Sequence, residues 1–490
     1  MSKNKEYLLL FVIILLGLVL RLYRLDNQSL WIDEVMRLNI ATQNSISDIL
    51  SVNYKWDSQP PVYHLLNHWW LKISQRVFWI RTLPLIFGVM TIPLIYALGA
   101  YYFNKKVGLL AAFILSLSPF HVWHSQDANM YTLLIFLTVL SIYSMLKILD
   151  EKRLIWYIVY ICATLLGLYT HYYFSSVVIA TNLFVFLFFK KYSYRIRFWI
   201  ITQIGIGLLT LPDIWFFLKL TTPFYDMGVQ GRGFTFWSFP YTFFTFINGY
   251  SIGPAPNELH SSLSINFVMG KYAYIILPIF LVISFLVLAG FLRLKSFDKV
   301  AFWFIILITL IPVLFIMAGV MIVFPKYNVR YAFGGFPTLC LLLSIGVHYF
   351  KNKVYQSLIL TIFIAMSLFS LSNYYYNTKY HKEESRAAAQ YIHSHIKNND
   401  AILVSLIKEP FKYYFGEERN VYGVYGNDLD SSDGYDKLDQ ILGKHNRLWL
   451  VYARAWITDP KGDLLKHLNR TYKMKQVKSF PGVKVFLFSS

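Results

Sequence analysis

Residues 7–22 read Tyr-Leu-Leu-Leu-Phe-Val-Ile-Ile-Leu-Leu-Gly-Leu-Val-Leu-Arg-Leu, and a few residues on comes Leu30-Trp31-Ile32-Asp33-Glu34. An apolar run of that length is what a bilayer-crossing helix needs. An acidic pair directly behind it is costly unless it is hydrated, paired or chemically employed. The same apolar pattern recurs along the chain near 79–102, 107–122, 129–149, 154–170, 172–189, 198–219, 271–292, 300–324, 331–350 and 354–375. With the first run that predicts eleven spans, and a polytopic α-helical membrane protein.

Composition agrees. Of 490 residues, 56% are hydrophobic, 19% aromatic and only 15% charged, against about a quarter charged in soluble domains. A cytosolic globular enzyme and a disordered chain are both excluded. The two cysteines, Cys162 and Cys340, lie inside apolar runs, so neither a disulfide framework nor a cysteine metal site is expected. The net charge of +20 is spread over short connectors such as Lys105-Lys106, Lys152-Arg153, Lys190-Lys191 and Lys351–Lys353. Basic residues at alternate connections follow the positive-inside rule. A nucleic-acid surface would gather them on one soluble face, and no nucleic-acid partner is expected.

With the first span an uncleaved anchor and Met1 inside, two long loops, 23–78 and 220–270, fall outside the cytoplasm together with the tail. The expected organisation is therefore a membrane domain over 1–375 and an extracytoplasmic α/β domain over 376–490. In the tail, 382–397 has helical character, and 401–406 and 447–452 read as strands. A multi-pass protein of the plasma (inner) membrane follows, with a cytoplasmic N-terminus.

Chemistry-bearing residues collect on the outer side. Trp56-Asp57-Ser58-Gln59-Pro60-Pro61-Val62-Tyr63 contains a rigid extended turn. His124-Ser125-Gln126-Asp127-Ala128-Asn129-Met130-Tyr131 ends the third span and opens the fourth. Asp127 there reads equally as a helix cap. Thr170-His171-Tyr172 joins the fifth span to the sixth. Lys326-Tyr327-Asn328-Val329-Arg330-Tyr331 makes a short outer loop that is basic against the rule, which points to an anionic ligand. Cations could hold a phosphate while a carboxylate takes a proton from an incoming hydroxyl. Gly228–Gly233 resembles a phosphate loop only superficially, lacking the strand-to-helix setting.

Taken in order, these motifs resemble the dolichyl-phosphate-mannose protein mannosyltransferase superfamily, in its family 39 and aminoarabinose-transferase-like branch. The ordering is acidic pair, Pro-Pro segment, Gln-Asp-x-x-Met-Tyr, Thr-His-Tyr and Asn-x-Arg-Tyr. The resemblance extends to Gly249–Pro254, Glu258-Leu259-His260 and Lys382-Glu383-Glu384-Ser385-Arg386. It implies a GT-C fold and transfer of a sugar from a polyprenyl-phosphate carrier to an extracytoplasmic protein, lipid or envelope glycan, with inversion. It implies Asp33 as general base, Glu34 orienting acceptor or sugar, and Asp127 touching the sugar or shaping the site. Arg330 and Lys326 would grip the carrier phosphate, with Gln59, Tyr131, His171 and Tyr331 as further substrate contacts. Relatives carry Arg where this chain has Asn129, and often His where it has Gln59. Some use a divalent metal, to which Asp57, His64, His171 or His260 could contribute; no metal-ligand spacing is present, and no cofactor is expected. The competing readings are a transporter or flippase of lipid-linked glycans and an O-antigen-ligase-like transferase using a diphosphate-linked oligosaccharide. A transporter would carry interrupted polar helices at the midplane, whereas here the ionisable residues sit at one boundary.

Overall fold

The structure, a computed structural model, describes residues 2–57, 59–219, 235, 237–255, 258–259, 265–322, 327–416, 420–424 and 434–489. Helix α1 (Lys3–Leu22) is capped by Ser2, whose hydroxyl accepts from the Lys5 amide at 3.4 Å. Three short helices follow, α2 (Ile32–Ala41), α3 (Ile46–Trp56) and α4 (Val62–Leu71). They lead into α5 (Val77–Tyr102), α6 (Lys105–Leu117), α7 (Pro119–Ser125) and α8 (Tyr131–Asp150). Next come α9 (Leu154–Leu168), α10 (Ser175–Leu187) and α11 (Ser193–Lys219). Further long helices span Ala273–Phe297, Lys299–Ile322 and Lys353–Tyr376, and Phe336–Val347 is a shorter buried one.

Every expected span coincides with a helix. Seven of them, among the described residues, are long and apolar enough to cross a bilayer on those grounds alone. An eighth is broken: α6 and α7 meet at 60°, not as one straight span over 107–122. Pro119 has no amide to continue the ladder, and Ser118 instead caps the new helix, accepting from His121 N at 3.3 Å. α1, α9 and α10 are shorter in apolar length or more polar. Asp213 in α11 is enclosed at 5% exposure and does not reach solvent.

α8 and Phe336–Val347 form the buried centre, with α5 and α6 packed against them. α5 and α6 come so close that a Cβ on Gly99 would lie 2.8 Å from the Gly108 Cα. By contrast α11, Ala273–Phe297 and Lys353–Tyr376 expose Leu and Phe along most of their length, a surface suited to lipid and not to water. α4 is inverted: Trp69 is exposed while Tyr63, His64 and Asn67 point inward. The first long loop is thus a folded layer over the helix ends, polar beneath and aromatic above.

After Tyr376 the chain builds a five-stranded sheet in the order β2-β1-β3-β5-β4. The strands are β1 (Ala401–Ser405), β2 (Val421–Val424), β3 (Arg447–Ala453), β4 (Lys473–Phe480) and β5 (Val483–Ser489). β1 pairs in parallel with β2 and β3, while β5 runs antiparallel to β3 and β4. Alternate residues feed two cores: Ile402, Val404, Trp449 and Val451 meet Ala388, Ile392 and Phe411, while Leu403, Leu448 and Leu450 meet Leu438, Leu464 and Leu468. The helix Ser385–His395 and strands β1 and β3 fall where the sequence expects them. The sheet domain docks on the first loop through Leu30 N donating to Tyr414 Oη at 2.8 Å, Lys382 N to Gln28 Oε1 at 3.1 Å and Arg386 N to Ser29 Oγ at 3.1 Å.

Candidate functional site

The acidic pair opens α2, and successive residues on a helix project about 100° apart, so the two carboxylates meet different surroundings. Glu34 occupies the third helical position and accepts from its own cap amide, Trp31 N, at 3.2 Å. It is fully buried and gripped in parallel by Arg81, Nε to Oε1 and Nη2 to Oε2, both at 2.9 Å. Ala128 N at 2.8 Å and Lys382 Nζ at 3.2 Å complete its shell. Burial alone would raise this carboxyl, but Arg81 and Lys382 outweigh it and hold the group at about 2. Arg81 also donates to the carbonyls of Leu25, Gln28 and Ser29. Glu34 thereby fixes the approach to the site, and its oxygens are fully engaged.

Asp33 is less enclosed than Glu34. Its side chain is 24% exposed and pairs with Arg330, Nη1 to Oδ2 at 2.9 Å. Burial pushes this carboxyl up, but Arg330, Arg37 and Arg454 together bring it below the ordinary aspartate value. Arg330 sits at the start of a 3₁₀ stretch, Val329–Gly335, that the Asn328 side chain caps by accepting from Arg330 N at 3.2 Å. Its guanidinium lies 5.2 Å from the Tyr131 ring and 5.6 Å from those of Trp31 and Tyr331. Such aromatic faces stabilise a cation without consuming its hydrogen-bond donors.

Asp127 is 1% exposed. Its Oδ1 accepts from Trp31 Nε1 at 2.8 Å and Lys382 Nζ at 2.9 Å, while Oδ2 has no partner. Beside it, Arg37 donates through Nε to Asn129 Oδ1 at 3.1 Å and through Nη1 to Asp57 Oδ2 at 3.0 Å. A guanidinium therefore stands next to position 129 although residue 129 is not itself arginine. Asp57 Oδ2 also meets His64 Nε2 at 3.0 Å, and its Oδ1 accepts from Gln59 N at 3.2 Å. Asp57 is pulled below the usual carboxylate range against the opposing effect of burial, by Arg37 first and then His64. Gln59 is thus held at the rim, and Val62 N donating to Tyr169 O at 3.0 Å ties the Pro60-Pro61 turn to the connection carrying His171. Buried His171 accepts from Tyr173 N on Nδ1 at 3.1 Å, which puts its proton on Nε2. Burial, and then Arg37 and Arg330, depress it to about 3. The rings of Tyr131, Tyr173 and Tyr331 surround it at 5.3–6.1 Å.

The structure therefore brings together Asp33, Glu34, Asp127, Tyr131, His171, Arg330 and Tyr331, with Gln59 at the edge. Lys326, His260 and Gly228–Gly233 lie outside the described residues. No three His, Cys, Asp or Glu side chains converge as metal ligands among the described residues. Sequence reasoning missed Arg37, Arg81 and Arg454, and gave Lys382 and Glu383 no role. Arg37 follows Asp33 by one helical turn, a signal that was available. Arg454 reaches the site from the sheet domain, held to Glu383 at 2.6 Å and 5.9 Å from the Trp31 ring; its only local peculiarity is a left-handed backbone, φ +48°. Asp33, Glu34, Asp57, Asp127 and Glu383 face Arg37, Arg81, Arg330, Lys382 and Arg454. Among the described residues, carboxylates and cations of the site thus match in number.

Residues 58–215 match the family described as dolichyl-phosphate-mannose-protein mannosyltransferase. Among solved structures, ArnT from Cupriavidus metallidurans in the apo state superposes with a TM-score of 0.61 at 9% identity, over 99% of this chain and 98% of that one. ArnT bound to undecaprenyl phosphate gives 0.55 at 11% identity over the same shares. The archaeal oligosaccharyltransferase AglB from Archaeoglobus fulgidus, in complex with an inhibitory peptide and a dolichol-phosphate, gives 0.53 at 11% identity, over 99% of this chain and 74% of that one. At these identities the likeness is one of fold. Comparison with curated proteins finds no match.

Proposed function

We propose that this chain, a membrane protein with the GT-C fold and a segment matching the mannosyltransferase family, transfers a sugar from a polyprenyl-phosphate carrier to a hydroxyl-bearing acceptor. The observation that carries the reading is the Asp33–Arg330 pair, 2.9 Å apart and part-open at the boundary of the membrane domain. A base for the acceptor and a cation for the leaving phosphate are the two groups the reaction needs, and here they are partners.

The acceptor oxygen attacks the anomeric carbon while its proton passes to Asp33. The bond from that carbon to the carrier phosphate breaks, and its electron pair leaves on the phosphate oxygen. Arg330, with Lys326 beside it in sequence, balances the charge that develops there. One displacement of this kind inverts the anomeric centre. Glu34 and Arg81 hold the base in place, and Asp127, Tyr131, His171, Tyr331 and Gln59 contact donor or sugar. The sheet domain and the first loop lie on the extracytoplasmic face of the plasma membrane, with the N-terminus in the cytoplasm.

The pairing also sets an order. A donor phosphate draws Arg330 away from Asp33, and the carboxylate, losing its strongest partner, returns toward an ordinary aspartate basicity. The base is therefore released only when donor is bound. Binding of undecaprenyl phosphate to the purified chain tests this. Arg330→Met should abolish binding, whereas Asp33→Asn, by removing the competing carboxylate, should tighten it by about 1 kcal/mol, roughly fivefold. Weaker binding by Asp33→Asn would contradict the reading.

A further inference from the structure

Where the sheet domain meets the start of α5, a cavity of about 810 Å³ opens between them. Asp26, Arg76, Phe78 and Trp79 line it from the membrane domain, and Arg386 and Tyr413 from the sheet domain. Two hydrogen bonds hold the walls together. Arg386 Nη2 donates to the Asp26 carbonyl at 2.9 Å, and Tyr413 Oη donates to the Gln75 carbonyl at 2.8 Å. Both end on backbone oxygens and leave the Asp26 carboxylate uncommitted. Around Asp33 every carboxylate has its cation; here, among the described residues, Asp26, Arg76 and Arg386 line one cavity with no ion pair to any protein group. α5 also begins at this wall without a side-chain cap. Its first amides have no partner within the helix, and they add positive potential beside Arg76.

The cavity lies at a bilayer surface, since it borders the first turn of a helix long and apolar enough to cross a membrane. Phe78 on its wall, and Trp69 and Ile73 just before it in the chain, are exposed, as side chains at a lipid interface are. We infer that this cavity holds the headgroup of a membrane phospholipid, phosphatidylethanolamine, with its phosphate between Arg76 and Arg386 and its ammonium against Asp26. Guanidinium donors suit phosphate oxygens, and an ammonium gives a carboxylate both charge and N–H donors. Phosphatidylglycerol offers Asp26 hydroxyls but no cation, and a choline nitrogen has no N–H to donate. Phe78 would carry the acyl chains toward the surrounding lipid. One phosphate shared by an arginine from each domain would fasten the sheet domain to the membrane domain, independently of the transferase reading.

Native mass spectrometry of the delipidated full chain with phosphatidylethanolamine, phosphatidylglycerol or phosphatidylcholine tests the assignment, beside Arg76→Gln and Asp26→Asn. Wild type should bind phosphatidylethanolamine at least roughly fivefold more tightly than either other lipid. Arg76→Gln should lose about that factor, and Asp26→Asn should lose the preference over phosphatidylglycerol. Both side chains are exposed, so without added lipid the variants should melt with wild type. Added phosphatidylethanolamine should raise the melting temperature of wild type and not that of Arg76→Gln. Glycerophosphoethanolamine, the headgroup without chains, should bind at least roughly tenfold more weakly than the lipid. Equal or tighter binding of phosphatidylglycerol or phosphatidylcholine, or wild-type lipid binding by both variants, would overturn the inference. A free headgroup as tightly bound as the lipid would overturn it too, as would variants that melt lower without lipid yet keep the preference.

Discussion

Asp33 and Glu34 are adjacent carboxylates with opposite fates, and helix phase decides between them. The sequence makes the pair conspicuous, but which member is buried depends on Trp31 capping α2 and on Arg81, 47 residues away. Local reading finds the dipeptide and cannot orient it. Arg37 is one helical turn from Asp33 and so legible beside it, but its pairing with Asp57, 20 residues on, is set by the folded loop and not by local sequence. Acid sensitivity belongs to this scale. The Glu34 carboxyl lies at about 2 in place of its ordinary 4.5, so its stabilising contribution is complete above 4.5 and disappears as pH falls toward 2. His171, at about 3 in place of 6.5, is favoured neutral in the fold; the unfolded chain takes its proton first, and stability declines as pH falls from 6.5 toward 3. The melting temperature should therefore drop on acidification in two overlapping stages. His171→Gln should flatten the stage between about 6.5 and 4.5 and leave the lower one, which differential scanning fluorimetry across pH would show; an unchanged profile would deny His171 that role.

Among the elements, each long hydrophobic run coincides with a helix, and the seven long and apolar enough to cross a bilayer among the described residues are legible because a bilayer imposes length and composition directly on sequence. Where a span breaks is less legible. Pro119 is visible, but a proline inside an apolar run is equally compatible with a modest kink, as Pro84 and Pro93 within the continuous α5 illustrate. The 60° turn comes from Ser118 capping a second helix and from the packing that receives α7. Close helix contacts are similarly hidden in small residues. A Cβ on Gly346 would lie 2.3 Å from the Leu286 carbonyl oxygen, so the helix at Phe336–Val347 could keep its neighbour only by shifting backbone. Gly346→Ala should cost about 1–3 kcal/mol in detergent-solubilised protein. Gly205→Ala in α11, where nothing lies within 4 Å, should be neutral or stabilising by up to about 1 kcal/mol. Equal melting temperatures for the two variants would contradict this packing.

Across the whole molecule, the change from membrane helices to a charged α/β tail is plain in composition and falls where the helix Lys353–Tyr376 ends. The return of that tail into the site is not. Lys382 bridges Glu34 and Asp127 from the sheet-domain side, and Glu383 positions Arg454 near Asp33. The Lys382 contacts join residues more than 250 positions apart, and only the docked fold creates them. The site is thus shared: the first-loop helix α2 carries Asp33, the 3₁₀ stretch carries Arg330, and the tail brings Lys382 and Arg454 to the acidic pair and its neighbours. Single-turnover transfer from a panel of undecaprenyl-phosphate-linked sugars to membrane-extract acceptors, with wild type and an equally folded Asp33→Asn side by side, tests the central claim most directly. The account predicts transfer by wild type and a loss on the order of 10²–10⁴-fold in the variant despite tighter carrier binding. Equal transfer by both would remove Asp33 as the base and contradict it.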